Sequence, residues 1–165
     1  MELSLFRENF ARVPRHVAVL GLSQGSEIHG VTISSLQSVN VNEQKQVLTF
    51  VLKKNSFFSQ ILAESSEMTI NLLAHNQEEI SKVYSDKNRN NSNEFEAEVW
   101  SRSKGNLVFI KGAAFSLSAT FLYSIELEDS NVFFVSADGI IESSDGKMLM
   151  YSDRSYGVFQ HRKFQ

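Results

Sequence analysis

Short apolar runs, separated by polar or turn-forming residues, succeed one another along most of the chain. "HVAVLGLS" (residues 16–23), residues 28–33, "QVLTFVLKK" (46–54), "MTINLLA" (68–74), residues 107–110, the long run 113–125, residues 132–137 and residues 148–151 each read as a strand. Gly25 offers a turn after the first run, and Asp138-Gly139 and Asp145-Gly146 are hairpin-type turn signals near the end. Helical spacing is confined to a few segments. Leu3, Phe6, Phe10 and Val13 give an opening helix one apolar face, and Pro14, the only proline, ends it. "NSFFSQILAESSE" begins at a capping Asn55 or Ser56 and carries Phe57, Phe58, Ile61 and Leu62 at helical spacing. "NQEEISKVY" has Asn76 as an expected N-cap with Glu79 three residues on, a capping-box pattern. Strands do not alternate regularly with helices, which disfavours a doubly wound parallel sheet. The expectation is a mainly β fold with helical additions (α+β), built on a β-barrel. One domain spans residues 1–165, with "KNRNNSN" (residues 87–93) a flexible loop inside it.

Bulk properties narrow the function classes. Sixteen basic and nineteen acidic residues give a net charge of −3, so no basic field favours nucleic acid. There is no cysteine, which excludes disulfides, thiolate metal sites and a cysteine nucleophile, and fits an intracellular setting. No apolar stretch approaches the ~20 residues of a membrane span, and the opening residues lack the apolar run of a signal peptide. The expected location is the cytoplasm, with no membrane partner. His16, His29, His75 and His161 are far apart in sequence and show no zinc-ligand spacing, so no metal site is expected. "GLSQG" lacks the dinucleotide-fingerprint spacing, and no G-x-S-x-G elbow occurs. If the chain is an enzyme, its reactive group comes from an organic cofactor.

The stretch "HGVTISSLQSVNV" (residues 29–41) starts with strand alternation and then loses phase. Val31 and Ile33 share one side, Leu36 falls on the other parity, and Val39 and Val41 return to the first. A slip of one residue suggests a β-bulge, which frees backbone N–H groups beside Thr32, Ser34 and Ser35. Such donors suit an oxyanion or the polar edge of a flat heterocycle, and Gly30 would let another group approach the backbone. Equally, these hydroxyls read as solvated edge residues that bond their own backbone.

These residues carry a family resemblance. "GVTISSL" (30–36), followed by a strand ending in Lys53-Lys54-Asn55-Ser56, resembles the flavin reductase-like family of FMN-binding split barrels, of Greek-key type. That family includes the small reductase components of two-component flavin monooxygenases. "MTINLL" (68–73) with Gln77 is similar to the family's "F-x-V-N-V-L…Q" strand and helix. Trp100, the small-residue run Gly112-Ala113-Ala114 and the closing Tyr151 and Tyr156 follow in the family's order, so the likeness covers residues 9–156.

The resemblance implies a flavin, FMN or alternatively FAD, lying across a cleft of the barrel in a homodimer. Thr32, Ser34 and Ser35 would hold the flavin's polar edge or ribityl-phosphate arm, and Ser38 would extend that wall. Lys53, Asn55 and Ser56 would form the phosphate-contacting loop. A helix opening at Ser56 presents amides to an anion, although N-capping alone also explains a serine there. Asn71 either faces the flavin or makes a buried cross-strand bond. Phe57, Phe58 and Trp100 could stack on a ring, and of these Phe58 and Trp100 read as core. Reductases of the family carry "G-D-H-x-x-F" where this chain has Asp129-Ser130-Asn131-Val132-Phe133-Phe134. Asn131 thus replaces the histidine associated with the nicotinamide, and Asn131 and Tyr156 are the candidates for that side of the site. No catalytic side chain is implied.

The function implied is NAD(P)H-dependent flavin reduction by hydride transfer to N5, supplying reduced flavin to a partner monooxygenase. A non-catalytic flavin carrier or sensor is the alternative that Asn131 raises. A dimeric interaction protein with structural serines is the third.

Overall fold

The computed structural model describes residues 2–42, 44–64, 67–86 and 93–160. Helix α1 (Leu3–Ala11) and the short strand β1 (Arg15–His16) lead into a hairpin of β2 (Ala18–Gln24) and β3 (Glu27–Ile33), turned at Gly25 with φ of 61°. Strands β4 (Gln37–Val41) and β5 (Gln46–Lys53) pair next, followed by α2 (Phe57–Glu64), β6 (Glu67–Leu72) and α3 (Glu78–Ser85). Helix α4 (Asn93–Val99) runs into a small hairpin, β7 (Trp100–Arg102) and β8 (Val108–Ile110). The long strands β9 (Phe115–Glu126) and β10 (Ser130–Ser143) come next, then the hairpin β11 (Leu149–Ser152) and β12 (Ser155–Val158).

Seven strands form one antiparallel sheet in the order β3-β2-β6-β9-β10-β5-β4. Its two outermost strands, β3 and β4, are consecutive in the chain and separated only by residues 34–36, so the sheet must curl until its rims meet. β3 touches β5 accordingly. After β5 the chain crosses the barrel end through α2, and β9 and β10 insert between β6 and β5. That non-sequential order is the Greek-key split barrel expected from the sequence.

Two apolar clusters explain the strand patterns. Inside the barrel, Leu20, Phe50, Leu62, Met68, Ile70, Leu117, Phe133 and Val135 are buried, and the rings of Phe50 and Phe133 stack at 5.5 Å. Phe58, Ile61 and Leu62 plug one end from α2. Outside the sheet, Val17, Val19, Leu73, Tyr84, Trp100, Val108, Ile110 and Leu149 form a second cluster. β2 lies between the two, so both its faces are covered, and Ala18–Leu22 are buried without alternation. The long β9–β10 ribbon follows the curve through three register shifts, since extra residues on one strand bend it.

Several sequence expectations change. The phase slip at residues 34–36 is a strand end; the bulge lies later, at Val39, where the β4–β5 register shifts between Ser38 and Asn40. Val39 and Val41 are consequently exposed. Asp138-Gly139 lies inside β10 at a register shift, with Thr120 Oγ1 donating to Asp138 Oδ2 at 2.6 Å, and makes no hairpin. Asp145-Gly146 connects β10 to β11, which do not pair with each other. α3 is preceded by Gln77 as its cap residue in place of Asn76, because the Gln77 amide is used to bridge Ala74 N and the Lys111 carbonyl. Of the proposed loop 87–93, residues 87–92 lie outside the described residues and Asn93 opens α4.

A cleft along the free edge of β3

β3 has a sheet neighbour on one side only, so every second residue directs its N–H and C=O away from β2. Along that edge lies a cleft of about 780 Å³, within the size range of small-molecule sites. Residues 29–35 line it without interruption, together with the end of β5 (Val51 to Lys53), the entry to α2 (Asn55 to Phe58) and the end of α3 (Tyr84 to Asp86).

Six of the sequence-derived candidates meet here: Thr32, Ser34, Ser35, Lys53, Asn55 and Ser56. Each arrives for a local reason. Thr32 Oγ1 donates to the Ser81 carbonyl of α3 at 2.8 Å, so its proton is committed and its lone pairs remain to accept. Ser34 lies just past the last β3 pair, and its hydroxyl has no partner among the described residues. Ser35 Oγ accepts from Val51 N at 3.0 Å, which replaces the missing ladder bond as the chain passes toward β4. Ser56 Oγ accepts from Ser59 N at 3.2 Å, the N-cap bond of α2. The amides of Phe57 and Phe58 precede the first intrahelical bonds, so this corner favours an anion.

The two adjacent lysines divide their roles. Lys54 bonds to Glu126 across the barrel rim and holds that carboxyl below the usual carboxylate range. Lys53 forms no ion pair among the described residues and borders the cleft.

The remaining candidates lie elsewhere. Ser38 is exposed on β4, opposite Leu48, away from the cleft. Asn71 is fully buried in β6 and is a structural cross-link. Its Nδ2 donates to the Val19 carbonyl (3.0 Å) and Thr69 Oγ1 (3.1 Å), and its Oδ1 accepts from Ile110 N (3.1 Å) and Ser116 Oγ (2.8 Å). All four amide valences are satisfied by protein, leaving none for a ligand. Asn131 sits on β10 opposite Leu52, a cleft residue, but does not itself line the cleft; its Oδ1 is buried without a partner among the described residues. Tyr156 reaches the site only at second hand, its hydroxyl 2.9 Å from Ser81 Oγ while the Ser81 carbonyl holds Thr32.

Phe58 and Trp100 are core residues, both nearly inaccessible. Gly30 does permit a close approach, but by protein: a Cβ there would lie 2.8 Å from the Tyr84 ring and 2.9 Å from Trp100. Phe57, one of the aromatics offered for ring stacking, does line the cleft, and His29 and the α3 rim are cleft residues that the sequence does not single out. His29 adjoins the quoted hydroxyl stretch, which was the one signal for it. Tyr84 to Asp86 carry no local signal, because only long-range packing of α3 brings them here.

A flat heterocycle with a polar edge and an anionic arm fits this lining: hydroxyl groups on one side, a cation and helix amides at one end. A model of the flavin reductase like domain matches residues 10–160. The chain belongs to this family.

Solved structures of similar fold agree with that assignment. A flavin reductase domain protein from Arthrobacter superposes with a TM-score of 0.84 at 20% identity, covering 98% of each chain. The styrene monooxygenase flavin reductase of Pseudomonas putida gives 0.83 at 16% identity over 96% of this chain and 99% of its own. The NADH:FAD oxidoreductase of Streptomyces globisporus, in complex with NAD and FAD fragments, gives 0.82 at 20% identity over 95% and 92%. At these identities the likeness concerns the fold. No curated protein sequence matches the chain. Among the described residues no helix is long and apolar enough to cross a membrane, and no group of three His, Cys, Asp or Glu is placed to hold a metal ion.

Proposed function

We propose that this member of the flavin reductase-like family reduces a flavin nucleotide with NAD(P)H and releases the reduced flavin to a partner monooxygenase. The observation that carries this reading is the convergence of Thr32, Ser34 and Ser35 from the end of β3 with Lys53, Asn55 and Ser56 from the β5–α2 connection on one cleft. Bound flavin supplies the ring that accepts hydride from a reduced nicotinamide.

The chain's own residues bind and orient. Thr32, its proton held by Ser81, accepts from an N–H of the ring edge. Ser34 offers a hydroxyl with no partner among the described residues. Lys53, Ser56 and the first amides of α2 take the phosphate. No side chain has to act as acid or base, since fixed orientation and preorganised donors account for the rate gain in such a transfer. Asn131, standing where the family's histidine would be, is the register partner of Leu52 on the neighbouring strand and is not among the residues lining the cleft.

A homodimer is part of the proposal. The outer face of β5, β9 and β10 exposes Val51, Tyr123 and Ile125, with Leu127 just past the end of β9 and Tyr123 stacked on Phe134 at 4.7 Å, an apolar surface of the kind buried between subunits.

Anaerobic mixing of protein, flavin and either NADH or NADPH tests the activity: loss of the oxidised-flavin absorbance is expected with at least one nicotinamide. A flat trace with both, while flavin fluorescence is still quenched on binding, would select the carrier alternative.

A further inference from the structure

We propose that the exposed ring of Phe57, backed by His29, is a shelf for the adenine ring of FAD, so that the cleft prefers the dinucleotide form of the flavin. The inference deepens the proposed function and rests on its placement of the flavin phosphate.

Phe57 and Phe58 are adjacent and identical in type, yet Phe58 is 4% exposed in the barrel plug and Phe57 is 59% exposed at the cleft mouth. A large aromatic side chain left open at the wall of a cleft is a feature that burial preference does not explain. His29 meets its ring with a centroid distance of 5.1 Å and an interplanar angle of 68°, an edge-to-face contact. His29 itself acts here as a ring. Its side chain is 14% exposed, its Nε2 has no hydrogen-bond partner among the described residues, and Glu27 Oε2 stays 3.7 Å away.

The shelf adjoins the phosphate corner. Lys53, Asn55 and Ser56 border the same cleft immediately before Phe57. A phosphate held at Ser56 and the first amides of α2 would lie in the same cleft as the Phe57 ring, within reach of a group esterified to it. In FMN the molecule ends there. In FAD a second phosphate, a ribose and a purine continue, and the purine offers a flat face to the free side of Phe57. Stacking of this kind recognises any base by its π-face.

Equilibrium titrations of riboflavin, FMN and FAD against the wild type, Phe57→Leu and Phe57→Tyr test the inference. Phe57 is exposed, so neither variant threatens the core, and circular dichroism confirms folding. The wild type is expected to bind FAD more tightly than FMN. Leu should weaken FAD about tenfold and change FMN and riboflavin by no more than about twofold, whereas Tyr should keep the FAD preference. Equal affinity of the wild type for FMN and FAD would overturn the inference, as would a parallel loss of both in the Leu variant. So would unchanged flavin affinities accompanied by a raised KM for the nicotinamide, or by an altered oligomeric state. If riboflavin and FMN bind the wild type equally, the phosphate placement fails first; if no flavin binds, the proposed function fails with it.

Discussion

Gly21 and Gly30 face each other across the β2–β3 ladder, and the missing side chains leave a notch that the indole of Trp100 fills. A Cβ on Gly21 would come within 2.7 Å of the indole, and one on Gly30 within 2.9 Å. Trp100 is fixed from its other side by Tyr84, which it meets edge-to-face at 5.5 Å and to which its Nε1–H donates. Because the indole is rigid and buried, it cannot yield to an added methyl. Gly30→Ala should therefore destabilise the fold by about 1–3 kcal/mol through overpacking. Trp100→Ala should cost about 3–5 kcal/mol. Urea unfolding midpoints measure both; an unshifted midpoint for Gly30→Ala would refute the packing argument.

Asn71 ties β2, β6, β8 and β9 together by its four hydrogen bonds. Asn71→Leu keeps the volume but strands several buried partners, each costing about 1–3 kcal/mol, so a total loss of at least about 3 kcal/mol is expected. The same variant, where it remains folded, should bind flavin with unchanged affinity. Selective loss of flavin binding without loss of stability would return Asn71 to the ligand site.

The phosphate corner makes a comparison between ligands that differ only there. Lys53→Ala combined with Ser56→Ala should weaken FMN by about tenfold or more, since contacts to a charged group are worth about 1.5–3 kcal/mol each. Riboflavin, without the phosphate, should lose little. Fluorescence titration reads both, and equal losses would remove the phosphate from this corner. Removal of the Ser56 cap also costs about 1 kcal/mol of helix stability, so the comparison between ligands is the deciding quantity.

His16 has its pKa lowered by burial, against which a hydrogen bond with the Leu36 backbone acts in the opposite sense. The folded state thus binds its proton less readily than the unfolded chain. By linkage, stability rises with pH through the region below 6.5, is fully present above it, and falls as the pH drops. Unfolding midpoints between pH 7.5 and pH 5 should decline less for His16→Gln than for the wild type. Parallel declines would show that the carboxylates alone set the pH dependence.

The strands were legible where one face is buried and the other wet, as in residues 28–33, because alternation then reports the environment directly. Asp138-Gly139 misled for a physical reason: the same dipeptide that suits a tight turn also suits a bulge inside a long curled strand. The turn between β11 and β12 was invisible, since Asp153 and Arg154 both take positive φ (50° and 60°) without a glycine to announce it. At the site, the hydroxyls and the Lys53–Ser56 segment were readable because strand ends and a helix cap concentrate polar residues locally. Asn71 was readable as a polar residue in an apolar strand, but its partners sit on three other strands. Ser38 followed the hydroxyl pattern one segment too far: the seam had already turned away at Leu36, which is buried.

Residues 34–36 carry the chain from one rim of the sheet to the other, and Ser35 fastens that passage to Val51. The zip that shuts the cylinder and the wall that would grip a cofactor are therefore one short piece of backbone. Whatever clasps it from outside also holds the cylinder shut, so occupancy of the groove and resistance to unfolding must rise together.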